Sequence, residues 1–254
     1  MKMSDPAKVG IVLLVLRAAL SLPAHGATGK TTKESFISNG AKRTYVLFVP
    51  ASLSPSVQVP LLITFHGSNR DGMSLLEKWR DLAGKERFIV ASPDSKESRT
   101  WNAPNDGPGM IYELAEMLKE KYPIDPLRIY LFGHSAGAVF AINLGLMESE
   151  YFAAVAVHAG AFRDDSEYQV VNYAERKIPL IMFVGDRDQF FPLTAARQTR
   201  DTLLKVGFPV ELKELPLHDH WYYDMAPDIN RKAWEFLRSK QLDATPHYEP
   251  RYFK

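Results

Sequence analysis

Three groups of residues in this sequence have the types and the order that nucleophilic catalysis requires. Gly133-His134-Ser135-Ala136-Gly137 sets a serine between two glycines. Gly185-Asp186-Arg187-Asp188 offers two carboxylates, and His218-Asp219-His220 offers two imidazoles. A serine hydroxyl is a poor nucleophile until a base takes its proton, and that base needs an acid to orient it. The chemistry these residues point to is acyl transfer. Ser135 attacks a carbonyl carbon, a histidine accepts its proton, and an aspartate holds the histidine. The N–H of Ala136, directly after the serine, is the expected first donor to the oxyanion that forms.

The elements around the serine fit that role. The apolar run Ile129-Tyr130-Leu131-Phe132 precedes it, and the small, apolar run Ala138 to Leu144 follows it. That is a strand, a tight turn and a helix, with glycines removing the Cβ atoms that would collide where the chain crosses itself. Further strand-like runs are Thr44–Val49, Leu61–Phe65, Phe88–Ala91, Ala153–Val157, Leu180–Val184 and Val210–Leu212. Most are continuously apolar, as parallel strands buried on both faces are. Helical faces alternate with them: Leu75, Leu76, Trp79 and Leu82; Ile111, Leu114, Leu118 and Tyr122; about Thr194 to Val206, ended by Gly207; and Ile229, Ala233, Phe236 and Leu237. The expected fold is α/β, a mostly parallel sheet with helices on both faces and its reactive groups at the carboxyl ends of the strands. The loops holding Asp186, Asp188, His218 and His220 follow two of those strands, on the same edge as Ser135.

Composition narrows the class. The 254 residues include no cysteine, so disulfides and thiolate chemistry are excluded. A formal charge of +1 and the lack of a basic block argue against nucleic acid as a partner. Residues 1–26 read as a signal peptide: Lys2 and Lys8 near a short polar start, the apolar run Gly10 to Leu16, then small residues around Ala24-His25-Gly26-Ala27. The run is too short, and too broken by Arg17, for a stable membrane span. Residues 27–254 are then one domain of a secreted or periplasmic protein. No dinucleotide-binding fingerprint follows the early strands, and no metal ligand set stands out beyond a chelating option at His218-Asp219-His220. No cofactor is expected, and nothing in the sequence sets an oligomeric state.

The elbow, together with Phe65-His66-Gly67-Ser68, Asp125-Pro126, Gly185–Pro192 and His220 with its aromatic neighbours, resembles the α/β-hydrolase superfamily. Within it the chain looks like the compact esterases grouped with poly(3-hydroxybutyrate) depolymerases, feruloyl and acetylxylan esterases and small carboxylesterases. The resemblance covers roughly residues 40–240. It implies a serine esterase with the triad Ser135, Asp188 and His220, Asp186 and His218 remaining the alternatives. The His-Gly-x turn implies Ser68 N–H as the second oxyanion donor beside Ala136. Trp101, in the loop Thr100 to Pro108, and Trp221 are the implied substrate contacts; a plain packing role for Trp101 is equally open. His134 and His158 are expected to pack near the cleft without reacting. Only Gly160 to Lys177 separates two of the strands, which leaves no room for a cap domain and implies an open site for soluble or polymeric esters. A serine peptidase on the same fold, or a non-catalytic binding protein, is the rival reading.

Overall fold

A computed structural model describes residues 28–250; the expected signal peptide lies outside them. The apolar runs form the middle of one eight-stranded sheet. β3 (Val59–Phe65), β4 (Ile89–Pro93), β6 (Ala154–His158) and β7 (Leu180–Gly185) are buried along their whole length. β5 (Ile124–His134) is half-buried over Asp125 to Arg128 and fully buried from Ile129 onward. With β1 (Gly29–Ser38), β2 (Ala41–Pro50) and β8 (Val210–Leu215) the order is β1-β2-β4-β3-β5-β6-β7-β8. The pairs β1–β2 and β2–β4 are antiparallel and the others parallel. The fold is therefore the expected one.

β1 is an addition to the elements read from sequence. It is a polar edge strand whose residues are mostly exposed or half-buried, so it carries no apolar run. What makes it is the turn to β2, where Asn39 and Gly40 take left-handed φ values of 49° and 73°. Two such residues match the right-handed twist of a two-residue hairpin.

Alternate strand residues divide the core in two. Tyr130 and Phe132 face α1 (Gly72–Glu86) and α7 (Tyr222–Leu237) across Trp79, Phe88 and Trp234. Ile129 and Leu131 face α3 (Pro108–Lys121), α4 (Ala136–Met147) and α6 (Leu193–Lys205). Two short helices, α2 (Ala103–Asp106) and α5 (Asp165–Gln169), lie in connections. The β6–β7 connection carries only α5 and the 3-10 turn Val170–Tyr173. Beyond α7 the chain returns to the body. Leu242 N donates to Leu127 O at 3.0 Å, and Tyr248 stacks on Tyr112 at 3.9 Å. No helix among the described residues is long and apolar enough to cross a membrane.

Candidate active site

β5 is central in the sheet, and its last residues turn sharply into α4. Ser135 sits at the turn with φ 58° and ψ −120°, a conformation costly for a residue with a Cβ. The neighbours make it possible. A Cβ on Gly133 would lie 2.1 Å from Gly137 O, and one on Gly137 would lie 2.1 Å from Phe65 O. The serine is held from both sides: its N–H donates to His158 O at 3.0 Å, and its own carbonyl accepts from Ala138 N at 2.9 Å. Ala136 opens α4, so its N–H has no acceptor within the helix.

The turn after β3 passes beside the serine. A Cβ on Gly67 would come within 3.3 Å of Ser135 Cβ. His66 Nδ1 donates to Gly67 O at 2.9 Å, while its Nε2 accepts from Ser95 N at 3.2 Å. Because a trans peptide sets C=O and N–H in opposite directions, the Ser68 N–H points away from His66. Ser68 is exposed and lines, with Ala136, Trp101, Val139 and Phe140, a cavity of about 210 Å³.

Two loops bring the other groups to this edge. His220 lies between the serine and an aspartate: Ser135 Oγ–H donates to His220 Nε2 at 2.9 Å, and His220 Nδ1–H donates to Asp188 Oδ2 at 2.9 Å. The carboxylate can only accept, and that sets the tautomer. Asp188 Oδ1 accepts from Phe190 N and Phe191 N, both at 2.9 Å. Burial pushes the Asp188 carboxyl up, but the His220 and backbone hydrogen bonds outweigh it and hold it below the usual carboxylate range. Asp186 is exposed. The two loops are pressed together, since Arg187 N donates to His218 O at 2.9 Å and a Cβ on Gly185 would lie 2.1 Å from the same oxygen.

The remaining predicted residues are placed as follows. Trp101 is 9% exposed. It stacks on Phe140 at 5.0 Å and donates from its indole N–H to His66 O at 2.8 Å, so it packs the His66 turn as well as lining the cavity. Trp221 is half exposed beside Tyr223, with the Arg70 guanidinium 5.1 Å from its ring. His218, Asp219 and His220 diverge: His218 bonds His158, Asp219 accepts from Trp221 N, and His220 faces Ser135. Among the described residues no group of three or more His, Asp or Glu is placed to hold a metal ion.

One arrangement was not anticipated residue by residue. His134, His158 and His218 are buried and hydrogen-bonded in series, His134 Nδ1 to His158 Nδ1 at 3.1 Å and His158 Nε2 to His218 Nε2 at 2.9 Å. The signal in the sequence is that two histidines end strand-like runs; the pairing of β5 with β6 then puts them side by side.

Comparison with known proteins gives the family and supports the fold. The profile of the family described as Phospholipase/Carboxylesterase matches residues 92–232, more than half of the chain. A bifunctional acetylxylan esterase/xylanase from Neocallimastix patriciarum is 27% identical over 163 residues, covering 63% of this chain and 23% of that protein. A poly(3-hydroxybutyrate) depolymerase from Ralstonia pickettii is 23% identical over 170 residues, covering 57% and 34%. The chain thus spans about a quarter to a third of the length of these curated relatives. Among solved structures, a ferulic acid esterase from Anaeromyces mucronatus in complex with ferulic acid superposes with a TM-score of 0.67 at 18% identity, over 84% of this chain and 94% of that one. A thermostable esterase gives 0.66 at 22% identity, over 83% and 63%. At these identities the structural likenesses speak for the fold.

Proposed function

Because the chain belongs to the phospholipase/carboxylesterase family, we propose that it hydrolyses carboxylic esters through an acyl-enzyme formed on Ser135. The observation that carries this reading is the unbroken hydrogen-bond line from Ser135 through His220 to Asp188, at 2.9 Å and 2.9 Å. His220 Nε2 takes the Ser135 proton as Oγ bonds to the ester carbon. The oxyanion is held by the N–H groups of Ala136 and Ser68. The carbon–oxygen bond to the alcohol then breaks, and His220 returns the proton to the leaving oxygen. Water, deprotonated by His220, then attacks the acyl carbon, the bond to Ser135 Oγ breaks to release the acid, and His220 returns the proton to Oγ. Asp188 stays ionised, holding the tautomer and stabilising the imidazolium.

The leaving oxygen must face His220 to receive its proton. The cavity beside Ser68 and Ala136 includes no residue of the His220 loop, so it suits the acyl half. Its volume is about 210 Å³ and it opens to solvent on one side. Short or compact acyl groups fit within it, and a long acyl chain would have to extend beyond it. The alcohol half lies toward the exposed side chains Phe190, Leu217 and Trp221, open to a soluble or polymeric alcohol. The apolar leader in residues 1–26 supports a place outside the cytoplasm.

Two measurements test the reading. A fluorophosphonate probe is expected to label the protein and not Ser135→Ala; an unlabelled wild type would overturn it. On p-nitrophenyl esters, acetyl and butyryl are expected to turn over and palmitoyl to fail. Faster palmitoyl turnover would overturn the acyl assignment.

A further inference from the structure

The chain of three histidines lies behind the reacting groups and takes no part in the steps above. His134 precedes Ser135 in sequence, His158 ends β6, and His218 is two residues before His220. Each N···N hydrogen bond holds one proton, so a neutral His158 must donate on one side and accept on the other. That fixes its ring relative to both neighbours, which apolar packing alone does not do. Its backbone is engaged as well, since His158 O accepts the Ser135 N–H at 3.0 Å. The base loop is held at its backbone by Arg187 N, which donates to His218 O at 2.9 Å, and at its side chains by the His158–His218 hydrogen bond. From Pro216 to Trp221, His218 is buried, His220 is partly exposed and the others are exposed. Leu217 has left-handed φ of 58°, so the loop is strained, and His218 is its one buried side chain.

We propose that His158 is a positioning residue: through its hydrogen bond to His218 it pegs the base loop to the strand ends that carry Ser135, and so keeps His220 Nε2 within reach of the serine hydroxyl. This rests on the esterase reading above, and the test separates the two.

Three substitutions divide the contacts. His158→Leu removes both hydrogen bonds at similar volume. His158→Asn places its amide near Nδ1, keeping the His134 bond and losing the His218 bond. His158→Gln places its amide near Nε2, keeping the His218 bond. A misplacement of about 1 Å at a catalytic group lowers the rate by about 100-fold. The expected pattern is kcat down by about that factor in the Leu and Asn variants, KM for p-nitrophenyl acetate unchanged, and rescue in the Gln variant. Equal kcat in all variants, or a fall in Gln as large as in Asn, would overturn the proposal. Should His158→Leu fail to fold, His218→Leu carries the same prediction from the other end of the bond.

A second readout needs no turnover. Proton NMR of Ser135→Ala is expected to show the His220 Nδ1–H held by Asp188 as a sharp downfield resonance. Adding His158→Leu is expected to broaden it away, and adding His158→Gln to keep it. If wild type hydrolyses no ester, the functional reading fails and this resonance alone decides the peg: loss in Leu with retention in Gln supports it, and an identical resonance in both overturns it.

Discussion

Asp188 uses both carboxylate oxygens, Oδ2 toward His220 and Oδ1 toward the N–H groups of Phe190 and Phe191. An amide there keeps the shape but permits the wrong imidazole tautomer, which costs about 10⁴-fold in kcat in a serine triad. Asp188→Asn is expected to lose about that factor on p-nitrophenyl acetate, while the exposed Asp186→Asn keeps its rate. The reverse result would move the acid to Asp186. The sequence leaves these two carboxylates, and likewise His218 and His220, as pairs within one loop. What separates them is which side chain faces inward. Asp188 is enclosed and Asp186 exposed, and His218 turns to His158 while His220 turns to Ser135. Those directions depend on loop conformations that spacing does not encode.

The connection from β4 to α3 holds Trp101 against the turn that carries Gly67 and Ser68. It is anchored by a buried ion pair between Arg43 of β2 and Asp106. Asp106 also accepts from Lys96 N at 2.8 Å and Asn102 N at 2.9 Å, and Arg43 donates to Asn105 O at 2.8 Å. Breaking such a pair leaves an uncompensated buried charge. Asp106→Ala is therefore expected to lower unfolding free energy by about 3–5 kcal/mol, read from urea denaturation. Lys33→Ala, which removes the exposed partner of Asp94 at 3.7 Å, is expected to cost less than about 1 kcal/mol. Similar values for the two would contradict the anchoring role. This pair was not legible from sequence, because the partners of the Arg43 side chain, Asn105 and Asp106, lie about sixty residues away. The elements themselves were legible wherever burial on both faces leaves an unbroken apolar run. β1 was missed because a polar edge strand leaves none.

Taken as a whole, the molecule closes its sheet over neutral histidines. Burial, then the nearby charge of His220, pushes the His134 imidazole down to about 3, and burial likewise holds His158 well below its ordinary value. Above about pH 6.5 both are neutral folded or unfolded, and neither affects stability. Below that, the unfolded chain takes up protons that the folded chain refuses. Unfolding free energy then falls, for His134 by about 1.4 kcal/mol per pH unit down toward pH 3 and for His158 in the same direction. Urea denaturation is expected to show about 2 kcal/mol less stability at pH 5 than at pH 7 from His134, with His158 adding a loss of the same sign; a flat profile would show that they are protonated in the folded protein. The sequence by itself determined the mostly parallel sheet, the serine elbow and the chain order of the serine, aspartate and histidine loops. Those follow from local patterns: apolar runs, and glycines where a Cβ finds no room. Only the tertiary structure decided that Trp101 packs against the His66 turn, that three histidines join in one chain, which histidine meets the serine and which aspartate meets that histidine. The reason is physical: each depends on contacts between strand ends and loops far apart in the chain, brought to one edge by the strand order rather than by neighbouring residues.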